Sequence, residues 1–98
     1  THFTNSHGLT DPDHYTTPYD LYLILHEAMK YPEFQKLASQ KLYTADYVDA
    51  AGQPVQKKWF NTNYYLVGKA KLPEGFSVVA AKTGTTLAAG ACLAQLTA

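Results

Sequence analysis

The segment from Phe76 to Thr97 constrains the fold most, because it reads as two apolar strands separated by only a short turn. Phe76–Thr85 follows the Pro73-Glu74-Gly75 break, a turn falls near Leu87–Ala89, and Gly90–Thr97 returns as the hairpin partner. A two-stranded hairpin alone is marginal in water, so this pair is expected to require more strands or a partner chain. The last strand reaches the end of the sequence with no closing helix, and the chain reads as a piece of something longer. Unpaired strand edges are templates for self-association. A strand-paired or swapped homodimer is therefore expected.

The upstream half has a different period. Residues 1–16 are turn-rich, with Asn5, Gly8, Asp11-Pro12-Asp13 and His14 supplying loop chemistry. Thr17 reads as a helix N-cap, Pro18 suits the first helical position, and Asp20 lies near the helix's positive end. Leu21, Ile24, Leu25 and Ala28 form one apolar stripe, and Pro32 is expected to stop the helix near Tyr31. Pro32 can start a second short helix, with Phe34, Leu37 and Ala38 toward the core. Leu42–Val48 then mixes aromatic and β-branched residues, Ala51-Gly52-Gln53-Pro54 is a turn, and Val55–Phe60 reads as a returning strand. Asn61-Thr62-Asn63 is loop chemistry and Tyr64–Val67 is apolar. Helices first and strands after predict an α+β fold rather than repeated βαβ units.

Ninety-eight residues fit one small domain, which normally buries roughly 60–68% of its unfolded surface. Eight basic and eight acidic residues give zero formal charge, so no electrostatic footprint for nucleic acid or an anionic membrane exists. Lys57-Lys58 and Lys69/Lys71 read as solvated pairs. The single cysteine, Cys92, excludes an internal disulfide and reads as a small buried core residue. No run approaches the 18 apolar residues of a membrane span, and Thr1-His2-Phe3-Thr4 is not a signal peptide. His2, His7, His14 and His26 lack any tight ligand spacing, so no metal site or cofactor is expected. His7 and His14 read as turn residues bonding local backbone, and His26 as a residue of the helix's polar face. Trp59 reads as a core anchor; Tyr15, Tyr19, Tyr22, Tyr31 and Tyr43 read as half-buried packing residues. Tyr64-Tyr65 are candidates for lining a groove.

The chemistry concentrates at Lys82-Thr83-Gly84-Thr85-Thr86. Lys82 supplies a cation for a carboxylate, Thr83 and Thr85 supply hydroxyl donors, and Gly84 lets a ligand approach the backbone closely. Open backbone on a strand rim can also pair with an extended peptide. Together these describe a recognition site for the carboxyl end of a peptide. Taken alone, the triplet is most simply a strand end with a gatekeeper charge. A phosphate loop is excluded, because it needs Gly-x-x-x-x-Gly-Lys-Ser/Thr and here Val78–Ala81 read as strand.

Several ordered blocks decide between these readings. Asn5-Ser6-His7-Gly8-Leu9, His14-Tyr15-Thr16-Thr17, Tyr19-Asp20-Leu21, Trp59-x-Asn61-Thr62-Asn63 and Lys82-Thr83-Gly84-Thr85-Thr86-x-x-Ala89-Gly90-x-Cys92-Leu93 run from about Thr1 to Leu96. In this order and spacing they resemble the serine D-alanyl-D-alanine carboxypeptidases, the low-molecular-weight penicillin-binding proteins. The resemblance implies part of a penicillin-binding-protein or β-lactamase-like transpeptidase domain, covering its C-terminal portion. It implies that Lys82 and Thr83 help hold the terminal carboxylate of substrate or β-lactam, and that Gly84 lets the ligand lie against the strand. It also makes the Thr85 backbone N–H one oxyanion-hole donor, of a kind whose loss costs ~2.7–4 kcal/mol of transition-state stabilisation. The implied partners are peptidoglycan stem peptides ending in D-Ala-D-Ala and, in the complete enzyme, β-lactams. The implied location is extracytoplasmic, with any membrane anchor outside this stretch.

One departure matters. The family nucleophile is the serine of Ser-x-x-Lys, activated by the lysine one helical turn on. Ser6, Ser39 and Ser77 are followed at the third position by Leu9, Leu42 and Ala80, and Ser-x-Asn is absent. The chain is thus expected to carry the receiving half of a site without nucleophile or base, and to be inactive alone. A serine β-lactamase also uses Lys-Thr-Gly, but the His14–Thr17 and Trp59–Asn63 blocks fit carboxypeptidases better. A non-catalytic binding or assembly module is the remaining alternative.

Overall fold

The computed structural model describes every residue, Thr1–Ala98. Two helices, α1 (Pro18–Ala28) and α2 (Pro32–Ala38), precede four strands, β1 (Leu42–Val48), β2 (Pro54–Phe60), β3 (Val78–Thr86) and β4 (Gly90–Thr97). The strands form two separate antiparallel hairpins, β1–β2 and β3–β4. This is the α+β arrangement expected from the sequence.

Local chemistry sets most boundaries. Thr17 caps α1 by accepting from the Asp20 backbone N–H at 3.1 Å, with Pro18 in the first turn. Met29 caps the other end, so α1 stops at Ala28 and a short turn bridges to Pro32. Before the helix, His2 and Tyr15 exchange backbone bonds of 2.8 and 2.9 Å. His7 Nδ1 accepts from Leu9 N–H at 3.1 Å, the local bond expected of it, whereas His14 Nδ1 accepts at 3.0 Å from Thr4 N–H, ten positions back. Asp49 Oδ1 accepts from Ala51 and Gln53 N–H at 2.9 Å each, and Gly52 takes φ +79°, which folds β1 back onto β2. At the second hairpin, Thr86 Oγ1 accepts from Ala89 N–H at 3.0 Å and Gly90 takes φ +70°.

Packing is sparse. Only Asn63, Leu66, Ala80 and Ala81 are buried, forming a small core where the segment after Asn61 lies against β3. The helices add the remaining cover, α2 against β3 and α1 against β4. Between α1 and β4 lies an apolar cavity of about 480 Å³ lined by Leu21, Leu25, His26, Met29, Ala94 and Leu96. Accessible surface is 7906 Å², against about 5,500 Å² for a compact monomer of this mass. The radius of gyration, 16.2 Å, likewise exceeds the ~13 Å of a compact chain of this length.

That openness overturns several expectations about burial. Cys92 is exposed rather than a core residue, because no element covers the β3–β4 sheet at that position fully. Trp59 is 47% exposed; it carries Lys57 Nζ at 5.1 Å over its ring instead of anchoring a core. Leu37 is 70% exposed, so α2 turns only Phe34 and Ala38 partly inward. Tyr15, Tyr19, Tyr22, Tyr31 and Tyr43 are all exposed. His26 belongs to the apolar side of α1, 5.8 Å from the Tyr22 ring and at the wall of the α1–β4 cavity, not to the polar face.

Candidate functional site

Strand β3 presents its motif on two faces. Successive strand residues alternate sides, and directly paired residues share one. Thr83 pairs with Leu93 and Thr85 with Ala91, so these four share a face; Lys82 with Ala94 and Gly84 with Cys92 share the other. The four predicted site residues therefore divide into two hydroxyls on one side and a cation with a glycine on the other.

The hydroxyl face is covered by the loop after β2, which two asparagines hold in place. Asn61 Nδ2 donates to Gln40 O at 2.9 Å, and Asn61 Oδ1 accepts from Asn63 N–H at 2.9 Å. Asn63, 3% exposed, does more. Its Oδ1 accepts from Tyr65 and Leu66 N–H at 2.9 and 3.0 Å, closing a turn. Its Nδ2 donates to Gln95 Oε1 on β4 at 2.7 Å, pinning that turn to the hairpin. Thr62, between them, is hydrogen-bonded through its hydroxyl to the hydroxyl of Thr83.

Loop and strand enclose an open groove of about 740 Å³ whose walls include Thr62, Tyr64, Tyr65, Thr83, Gly84 and Thr85. Gly84 contributes backbone only, and a Cβ built there meets nothing within 4 Å. Lys82 is exposed and does not line this groove; its ammonium donates back to the Thr83 carbonyl. The cation at the groove wall is Lys69, whose Nζ lies 5.5 Å over the Tyr64 ring. Hydroxyl donors, bare backbone and a cation facing one open cleft suit a carboxylate-bearing extended ligand.

The chain matches the family model described as D-alanyl-D-alanine carboxypeptidase over residues 1–98. It belongs to the D-alanyl-D-alanine carboxypeptidase family. No curated protein and no solved structure matches it. In this member of the family, Thr83–Thr85 of the Lys-Thr-Gly strand and Phe60–Asn63 are two sides of one groove, joined by the Thr62–Thr83 and Asn63–Gln95 bonds.

Reading the sequence by itself missed Thr62, Asn63 and Lys69 as parts of this site. Asn61-Thr62-Asn63 carries a loop signal but nothing that tells which strand the loop meets. In the sequence Lys69 reads with Lys71 as a solvated pair, and only the return of the loop brings it to the groove. Tyr64 and Tyr65, which the sequence did not single out as site residues, also line the groove. The three serines lie elsewhere: none of Ser6, Ser39 or Ser77 is among the groove residues.

Proposed function

We propose that this chain forms the carboxylate-holding and oxyanion side of a serine D-alanyl-D-alanine carboxypeptidase, which removes the terminal D-Ala from peptidoglycan stem peptides. The observation that carries the reading is the groove in which Thr83, Gly84 and Thr85 of β3 face Thr62–Tyr65. A terminal carboxylate accepts a hydrogen bond from the Thr83 hydroxyl and is held by the ammonium of Lys69 at the groove wall. The scissile carbonyl oxygen lies toward the Thr85 backbone N–H, which stabilises the negative charge that develops there. Gly84, without a side chain, leaves the peptide free to run along the strand.

The chain is one part of the catalytic domain. Its excess of roughly 2,400 Å² of accessible surface over a compact monomer is the surface that further strands would cover. Because none of its serines has lysine at the third position, acyl-enzyme formation by attack of an activated serine is not open to the chain alone. In the complete enzyme, β-lactams acylate that same serine. The location is extracytoplasmic, where peptidoglycan lies.

Fluorescent penicillin tests this. The isolated polypeptide is expected to remain unlabelled on a denaturing gel, and stoichiometric covalent labelling would overturn the proposal.

A further inference from the structure

The groove's key hydroxyl has a partner that the Lys82–Thr86 strand does not contain. Thr62 and Thr83 hydroxyls are in direct hydrogen-bond contact, and both line the groove. A hydroxyl owns one hydrogen and two acceptor lone pairs. In such a pair, one partner spends its hydrogen on the other, and only the acceptor keeps a hydrogen to offer elsewhere.

A carboxylate carries only acceptors. If Thr83 donated to Thr62, it would turn lone pairs toward an incoming carboxylate, and the contact would be repulsive. If Thr62 donates to Thr83, the Thr83 hydrogen is free to meet the anion. Each bond in that relay then polarises the next. We propose that Thr62 is a positioning residue for carboxylate recognition, donating to Thr83 Oγ1 so that Thr83 presents its own hydrogen to the ligand. This rests on the carboxylate-binding reading given above.

The surroundings hold Thr62 to the task. Its neighbours Asn61 and Asn63 are tied to Gln40 O at 2.9 Å and to Gln95 Oε1 at 2.7 Å, on either side of the loop. The Thr62 backbone is thus held between Gln40 and β4, which keeps its hydroxyl beside that of Thr83. Thr62→Val removes that donor at nearly constant volume, and Thr62→Ser keeps it.

The test is a titration of the ¹⁵N-labelled full chain with N-acetyl-D-alanyl-D-alanine and with its C-terminal carboxamide, following the Thr83 and Thr85 amides. The carboxamide carries N–H donors as well as an acceptor, so it satisfies Thr83 in either hydroxyl direction. Wild type is expected to prefer the acid. Thr62→Val leaves the Thr83 hydrogen in place but takes away the donor that orients and polarises it, so acid binding is expected to weaken roughly twofold while the carboxamide is unchanged. Thr62→Ser is expected to restore the acid. Unchanged acid binding in Thr62→Val, or equal weakening of acid and carboxamide, would overturn the Thr62 role and leave the carboxylate reading intact. A wild-type chain with no preference for the acid would overturn the carboxylate reading and this inference together.

Discussion

Replacing Asn63 with alanine removes a side chain that is 3% exposed and makes three hydrogen bonds, to Tyr65 N–H, Leu66 N–H and Gln95 Oε1. Each such bond contributes about 1 kcal/mol net, and Leu66, only 6% exposed, has its N–H left unpaired beneath the loop. The expected loss is about 3 kcal/mol, a large part of the ~5–15 kcal/mol that a folded domain commands. For a chain of this size it corresponds to a fall in melting temperature of about 12–24 °C. Urea and thermal unfolding followed by circular dichroism measure it, under conditions where the transition is reversible. Gln95→Ala, which deletes only the cross-link to β4, is expected to cost about 1 kcal/mol. The difference between the two variants isolates the turn-closing role of the Asn63 carbonyl oxygen. An Asn63→Ala loss below about 1 kcal/mol would refute the view that this one amide couples loop to hairpin.

Two other perturbations address the hairpins. Gly52 sits at φ +79° with open space where a Cβ would go, so Gly52→Ala is expected to cost about 1–2 kcal/mol through backbone conformation alone; an unchanged unfolding midpoint would refute this. The β4 edge, left unpaired in a two-stranded sheet, is expected to drive a strand-paired homodimer at high concentration. Light scattering that shows a strictly monomeric mass across the millimolar range would refute it.

The parts legible in the sequence are those whose causes lie within a few residues. Thr17 meets Asp20 three positions on, Asp49 meets Ala51 and Gln53, and Gly90 starts β4 at the residue the pattern marks. Phe76 and Ser77 are the exception: the apolar run suggests strand from Phe76, but β3 begins at Val78 and the register shifts between Val78 and Ala80. Burial is less legible. Cys92, Trp59 and Leu37 carry the pattern of core residues, yet a pattern marks only the face on which burial is possible. Whether a second layer arrives to cover that face is a property of the whole chain.

Sequence alone determined the order of helices and strands, their caps and turns, the hairpin carrying Lys82–Thr86, and the ordered blocks that resemble the family. Those features rest on local backbone preferences and short-range hydrogen bonds, which the residues themselves encode. Tertiary structure decided which residues share the groove. Thr62 reaches Thr83 across 21 positions, Asn63 reaches Gln95 across 32, and the pleat of β3 sends Lys82 to the opposite side from Thr83 and Thr85. No periodicity records such contacts, because they depend on how one folded loop lands on one twisted pair of strands.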